Sequence, residues 1–388
     1  MSFLIGCNSK TKNSSLIYEI LQESKEPIIK KVLSDLNSHK VQILFTRIHR
    51  DSLGKPEFES HKFQVHSKHY FYPASTVKLP VAILALQKIR KLQSQGIPIT
   101  PDTPFTVLFS ENIIKKTDST HPNNKLTIAH LIKKIFLVSD NTAYNYLFDF
   151  IGRDDANKAI HSIGIPNFKL SHKFSASETQ NSTPHFIFFN QRGDTIYNQA
   201  PIISNQKIKN THLEGVLKGK GYVKDGTVIE ESMDFSEKNY ASIEALHQIL
   251  KRIIFPKLFS KNEQFKIEQE DYFFLRYWMS KTPNEVTIPF YDRETFFDSY
   301  GKFFIYGDKK GEMTNTTRIY NKVGLAYGTT TDVAYVKDRN GIEFFLTATI
   351  LTNKNEIFND NKYEYDQLGI PFLAALGREI YQFEYKLL

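Results

Sequence analysis

A single cysteine among 388 residues excludes any intramolecular disulfide. No run approaches the roughly 18 uninterrupted apolar residues of a membrane span, so the body of the chain does not cross a bilayer. A stripe of positive charge is also missing. The net charge is +8, which suits anionic surroundings, but the basic residues fall in scattered pairs such as Lys30-Lys31, Lys115-Lys116, Lys133-Lys134 and Lys309-Lys310. Without interleaved aromatics they make a solvated basic surface, so no nucleic-acid partner is expected. His61, His66 and His69 match no standard ligand spacing, so no metal is expected either. Internal repeats and low-complexity segments are absent. What is plentiful is large core material: 31 phenylalanines and 20 tyrosines make a sizeable hydrophobic interior feasible.

The one cysteine has an informative place. Leu4-Ile5-Gly6-Cys7 resembles the lipobox of bacterial lipoproteins, whose cysteine becomes the lipidated N-terminus. It departs from that pattern in having only six residues before Cys7, too few for a charged and a hydrophobic region. The resemblance implies a tether over residues 1–14, a membrane association only through a lipid anchor at Cys7, and a place in the bacterial periplasm or cell envelope.

Apolar spacing then predicts an amphipathic helix from Ser15 to Leu36. Strands follow at Val41–Ile48 and Phe58–Val65, joined at Asp51-Ser52-Leu53-Gly54. Tyr72 to Leu86 is apolar almost all round beyond Ser75 and Lys78, the pattern of a helix buried within the protein. It should run from about Ser75 to Leu92 and stop at Gly96 and Pro98. Pro80 is comfortable only in a first turn, so regular helix should begin a residue or two after Ser75. Further helices are expected over Leu126–Val138, Thr142–Ile151, Asp154–Ile163, Tyr240–Phe255, Gln269–Met279 and Pro371–Phe383. In the Gln269–Met279 helix, Tyr272, Phe273, Phe274, Tyr277 and Trp278 read as core packing. Hairpins are expected across 186–203 and 215–232, and strands at Phe303–Tyr306, Arg318–Val323, Thr331–Lys337 and Phe344–Thr352. Helix, strands, a long helical middle, strands and a last helix make the fold α+β, with N- and C-terminal strands in one sheet. Residues 15–388 are expected to form one catalytic domain. Its sheet subdomain would span about 15–72 and 300–388, its helical subdomain about 73–185 and 236–299, and an insertion about 186–235.

Side chains at i and i+3 share a helix face, so the Ser75 hydroxyl and the Lys78 amine can meet. The helix dipole at Ser75 favours a developing alkoxide. Two further short motifs follow in order, Ser139-Asp140-Asn141 and Lys322-Val323-Gly324. Each alone is weak: Ser-x-x-Lys recurs at Ser9, Ser52, Ser204 and Ser299, and Lys-x-Gly at Lys224 and Lys309. An isolated copy at a helix start is ordinarily an N-cap beside a solvated lysine. Here the first opens a buried helix, the second breaks a helical pair and the third lies on a strand before the last helix. In that order and context the chain resembles the serine β-lactamase and penicillin-binding protein superfamily, most of all class A β-lactamases, whose signatures are S-x-x-K, S-D-N and K-T-G.

The resemblance implies an acyl-enzyme at Ser75 formed without metal or organic cofactor. Lys78 would accept the Ser75 proton, provided burial and the neighbouring Lys322 keep its amine neutral. Ser139 would relay a proton to the leaving nitrogen, and Asn141 would hold a substrate carbonyl and orient Lys78. Backbone N–H groups of Ser75 and Leu325 would form an oxyanion hole, and Gly324 would keep its strand open to a substrate backbone. Two departures bear on turnover. Val323 replaces the threonine whose hydroxyl helps bind a β-lactam carboxylate, leaving Thr329, Thr330 or Thr331 as nearby hydroxyls. Between Asp155 and Glu178 there is no carboxylate, and Glu178 is the one candidate for the deacylating glutamate of class A enzymes. Three readings stay open: a β-lactamase; a D-alanyl-D-alanine carboxypeptidase or esterase-like relative; and a non-catalytic envelope lipoprotein. The expected partner is a small β-lactam or a peptidoglycan-type peptide.

Overall fold

A computed structural model describes residues 15–388 except 111–112, 176–180, 208, 211, 312 and 315. Cys7 with its tether and Glu178 therefore lie outside the described residues. A five-stranded antiparallel sheet forms one half of the molecule, in the spatial order Thr317–Ala326, Thr329–Asp338, Glu343–Leu351, Gln42–Arg50, Pro56–Phe63. The N- and C-terminal strands thus share one sheet. Helices Leu16–Glu23, Pro27–Leu33 and Ile370–Tyr385 bury Ile17, Leu21, Ile29, Leu373 and Leu376 against one face. The other face meets a helical half built around Lys78–Ser94, Ile128–Val138, Asn141–Ile151, Ile243–Ile254 and Gln269–Ser280.

The segment 186–235 is shared between neighbours. Its first hairpin, His185–Phe189 with Thr195–Gln199, extends the strands Phe105–Ser110 and Ile113–Lys115 into a four-stranded sheet. Its second, Gly221–Lys224 with Thr227–Ile229, turns at Asp225-Gly226 and pairs in parallel with Ile357–Phe358. A third, smaller core is formed by Tyr70, Tyr72, Phe235, Tyr240 and Phe358.

Three sequence expectations are corrected. The first helix is two pieces, Leu16–Glu23 and Pro27–Leu33, because Pro27 cannot donate to a preceding turn and starts a new helix at its own first position; a separate short helix, Leu36–His39, follows, capped by Asp35. Phe303–Tyr306 is a turn and not a strand: Gly307 N donates to Phe303 O at 3.0 Å, and Ile305 has φ +71°. Of the aromatics on Gln269–Ser280, Tyr272 is buried, but Phe273 and Tyr277 face solvent (66% and 43% exposed). Trp278 lies under the Lys133 ammonium, 5.0 Å from its ring.

Candidate active site

The first motif sits where the three cores meet. Tyr72 and Ala74 belong to the small core, Val77 to the helical one, and the neighbouring Val323 to that of the sheet. Ala74 has positive φ (+46°) and opens a 3₁₀ turn, Ala74–Val77, that precedes the helix Lys78–Ser94. Thr76 locks the turn, donating from its amide and its hydroxyl to Pro73 O at 3.1 and 2.6 Å. Regular helix starts at Lys78, which puts Pro80 in the first turn, where its missing N–H has no intrahelical partner to lose. Ser75 is half-buried on this turn, and Lys78 is fully buried.

Lys78 Nζ donates to Asn141 Oδ1 at 2.6 Å, to Ser139 Oγ at 3.3 Å and to the Ser139 carbonyl. The Phe174 ring covers it, with its centroid 5.0 Å away. Ser139 ends its helix in the left-handed region (φ +57°), and Asp140 then caps the next helix by accepting from Ala143 N at 2.7 Å. That break between helices sets Ser139 and Asn141 on the same ammonium group. From the opposite side Lys322 Nζ donates to Ser139 Oγ at 2.8 Å and to Val323 O at 2.9 Å. One hydroxyl therefore lies between two lysines.

Burial pushes the Lys78 amine down to about 7, against a weaker pull upward from Asp140. Burial first, and Lys78 second, hold Lys322 well below its ordinary value, with Asp332 opposing. Such a pair does not readily keep two protons. At neutral pH the cluster can take up a proton at one lysine and pass it along through Ser139.

Gly324 lies where its strand meets the serine turn. A Cβ there would stand 2.5 Å from Pro73 O, 3.0 Å from Thr76 Cγ2 and 3.1 Å from Ser75 N. Glycine lets the strand Thr317–Ala326 press directly onto the serine turn, which brings the Leu325 backbone beside Ser75. The alternative hydroxyls do not reach the site. Thr329, Thr330 and Thr331 are buried in the next strand, opposite Ala326, Leu325 and Gly324, and Thr331 Oγ1 bonds Thr349 Oγ1 at 2.7 Å.

Behind Lys322 lies a buried network that the motifs did not point to. Lys302 Nζ donates to Met279 O, Ile319 O and Asn321 Oδ1 at 2.6, 3.0 and 2.8 Å. The Asn321 amide donates to Gly301 O at 2.8 Å and to both oxygens of Asp332 at 2.9 and 3.1 Å. Burial lowers Lys302 to about 7 and raises Asp332 to about 6. The only trace in the sequence was Ser299-x-x-Lys302, a Ser-x-x-Lys copy without a helix behind it.

Two cavities open from Ser75 and Leu325. One, about 950 Å³, is lined by Asn141 together with Arg153, Lys173, Asp234, Glu237 and Lys238. The other, about 710 Å³, is lined by Ser139, Lys322 and a set of aromatic and aliphatic side chains. Among the described residues, no three His, Cys, Asp or Glu side chains converge in a way that could hold a metal ion. No described helix is long and apolar enough to cross a membrane.

A helical half and an antiparallel sheet that clasp a serine turn between them are the architecture of the serine β-lactamase superfamily, a group of hydrolases. The chain belongs to the beta-lactamase enzyme family, whose model matches residues 26–383. Among solved structures it is similar to a representative class A beta-lactamase from Bacteroides cellulosilyticus, at 14% identity over 94% of this chain and 97% of that one, with a TM-score of 0.51. A beta-lactamase from Desulfarculus baarsii gives the same identity, coverage and TM-score. One from Burkholderia phymatum gives 14% identity, 94% and 98% coverage and a TM-score of 0.50. At these identities the likeness is one of fold. No curated protein is significantly similar in sequence.

Proposed function

We propose that this chain is a serine hydrolase that forms an acyl-enzyme at Ser75, with β-lactam amides as its nominal substrates. The observation that carries the reading is the Ser139 hydroxyl held between Lys78 and Lys322 beside the Ser75 turn. Lys78, neutral above about pH 7, takes the Ser75 proton as Oγ attacks the substrate carbonyl. Backbone N–H groups of Ser75 and Leu325 stabilise the oxyanion. The proton then moves from Lys78 through Ser139 to the leaving nitrogen while the C–N bond breaks. Asn141 holds the Lys78 amine in place and faces the first cavity, where the acyl portion lies. Water completes the cycle. Glu178 remains the proposed base for that step, and lipidation at Cys7 with an envelope location belongs to the same proposal.

A second reading, an esterase-like or D-alanyl-D-alanine carboxypeptidase relative that releases β-lactams slowly, is favoured by one feature. Val323 brings no hydroxyl to the β-lactam carboxylate. Stopped-flow hydrolysis of a penicillin separates the two. Fast linear turnover supports the β-lactamase. A burst equal to the enzyme concentration, followed by slow turnover, supports the slow-releasing relative. Equal hydrolysis by wild type and Ser75→Ala would overturn both.

A further inference from the structure

The helix Asn141–Ile151 sets two asparagines one turn apart on one face. Asn141 Oδ1 holds the Lys78 amine at 2.6 Å. Asn145 holds what covers that amine. Its Oδ1 accepts from Phe174 N at 2.9 Å and its Nδ2 donates to Phe174 O at 2.8 Å. We propose that Phe174, clamped in this way, is a positioning residue that keeps water off Lys78 and so leaves its amine free to take the Ser75 proton. The inference rests on Lys78 as the base of the acyl-enzyme reading.

The stretch 170–174 that carries the ring is fixed by side-chain amides. Leu170 N donates to Asn157 Oδ1 at 2.8 Å, and Ser171 N and His172 N donate to Asn239 Oδ1 at 2.7 and 3.2 Å. Together with Asn145, three asparagines from three parts of the fold set its path. The fully buried Tyr144 ring packs against Phe174 with centroids 4.7 Å apart, and its hydroxyl donates to His172 O at 3.2 Å. Phe174 is half-buried and lines the first cavity beside Ser75 and Asn141. Lys78 Nζ, 5.0 Å from the ring centroid, is fully buried, and Lys78 is not among the described residues that line either cavity. The ring therefore stands between the amine and an opening of about 950 Å³.

Two effects of the ring oppose each other. Its π face attracts an ammonium group. Its bulk keeps out the water that would solvate that compact charge more strongly. Exclusion wins, since burial holds the amine down at about 7. The charges around Lys78 have fixed partners. Asp140 at the helix break pairs with Lys134 at 3.4 Å, and Lys173, between His172 and Phe174, pairs with Asp149 at 3.0 Å. Lys322 on the strand shares Ser139 with Lys78. Replacing Phe174 by another apolar residue changes none of these charges, so a moved titration reports solvent.

The test is the second-order rate of Ser75 acylation by a penicillin, followed by intact mass from about pH 5 to about pH 10, with the drug below saturation so that the profile belongs to the free enzyme. The midpoint is the readout, because contact between the ring and the drug changes only the plateau. Phe174→Ala admits water and should raise the midpoint by at least about one pH unit, a loss of about tenfold on the acid limb that is recovered in alkali. Asn145→Ala frees the ring and should move the midpoint the same way. Phe174→Leu keeps an apolar cover without a π face, and its midpoint should be no higher than that of the wild type. An unmoved midpoint in either alanine variant would overturn the inference. So would an equal rise in Phe174→Leu, or loss of acylation at every pH in Phe174→Ala, which would make the ring a structural support only. A wild-type rate that does not rise through about pH 7, or a wild type that is never acylated at Ser75, would overturn the reading of Lys78 as the base and the inference with it.

Discussion

Lys78 is buried without a carboxylate partner. Its three acceptors are two carbonyl oxygens and a hydroxyl, none of which repays the charge as an aspartate would. Desolvation therefore dominates and brings the amine to about 7. The sign of the pH effect follows. Below that value Lys78 holds its own proton and cannot take the one on Ser75. The rate of acylation should rise as pH increases through about 7 and level off above. Lys78→Arg should abolish acylation across the range, because a guanidinium does not lose its proton. A single-turnover pH profile checks both. A rate that falls through the same range would remove Lys78 as the base. Lys302, lowered to a similar value, lies in the network behind Lys322 and touches none of the motif side chains directly, so a profile carried by Lys78 should survive Lys302→Met.

At the scale of elements, the site is a contact between a turn and a strand. The 3₁₀ turn Ala74–Val77 presents Ser75, and Gly324 lets the strand Thr317–Ala326 lie against it without a side chain between. Gly324→Ala should push the two apart. A displacement near 1 Å at reacting atoms costs on the order of a hundredfold in rate, and overpacking costs about 1–3 kcal/mol of stability. Burst-phase acylation and a denaturant melt measure the two effects. An unchanged acylation rate would mean that the strand does not set the serine's position. The motif marked this glycine but not the turn it packs on, because spacing along a strand does not say which element lies on its face. The turn at Phe303–Tyr306 was misread for a related reason. Apolar residues in a row suit a strand, but Phe304 N donates to Asp332 Oδ2 at 3.3 Å in place of a ladder partner. The Pro27 break was legible from proline chemistry and was passed over in favour of periodicity.

Over the whole molecule, the α+β order and the pairing of the terminal strands were legible because hydrophobic patterning reports burial, and burial decides the layers. Ser75, Lys78, Ser139, Asn141 and Lys322 were legible as motifs, and the fold brings Lys78, Ser139, Asn141 and Lys322 into one hydrogen-bonded cluster across 244 positions from Lys78 to Lys322. The network of Lys302, Asn321 and Asp332 was not legible. Its members come from a loop and two strands, and nothing in their local sequence marks them as buried. The apolar character of the second cavity was hidden likewise, since Phe136, Phe303 and Ile370 meet only in the folded chain. The account turns on whether Ser75 carries an acyl group. The direct measurement is intact mass of the full chain at intervals after mixing with a penicillin, with peptide mapping, in wild type and Ser75→Ala. A gain equal to the drug's mass, mapped to Ser75 and absent from the variant, is the result the account predicts. A gain of that mass on another residue, or an equal gain in Ser75→Ala, would contradict it.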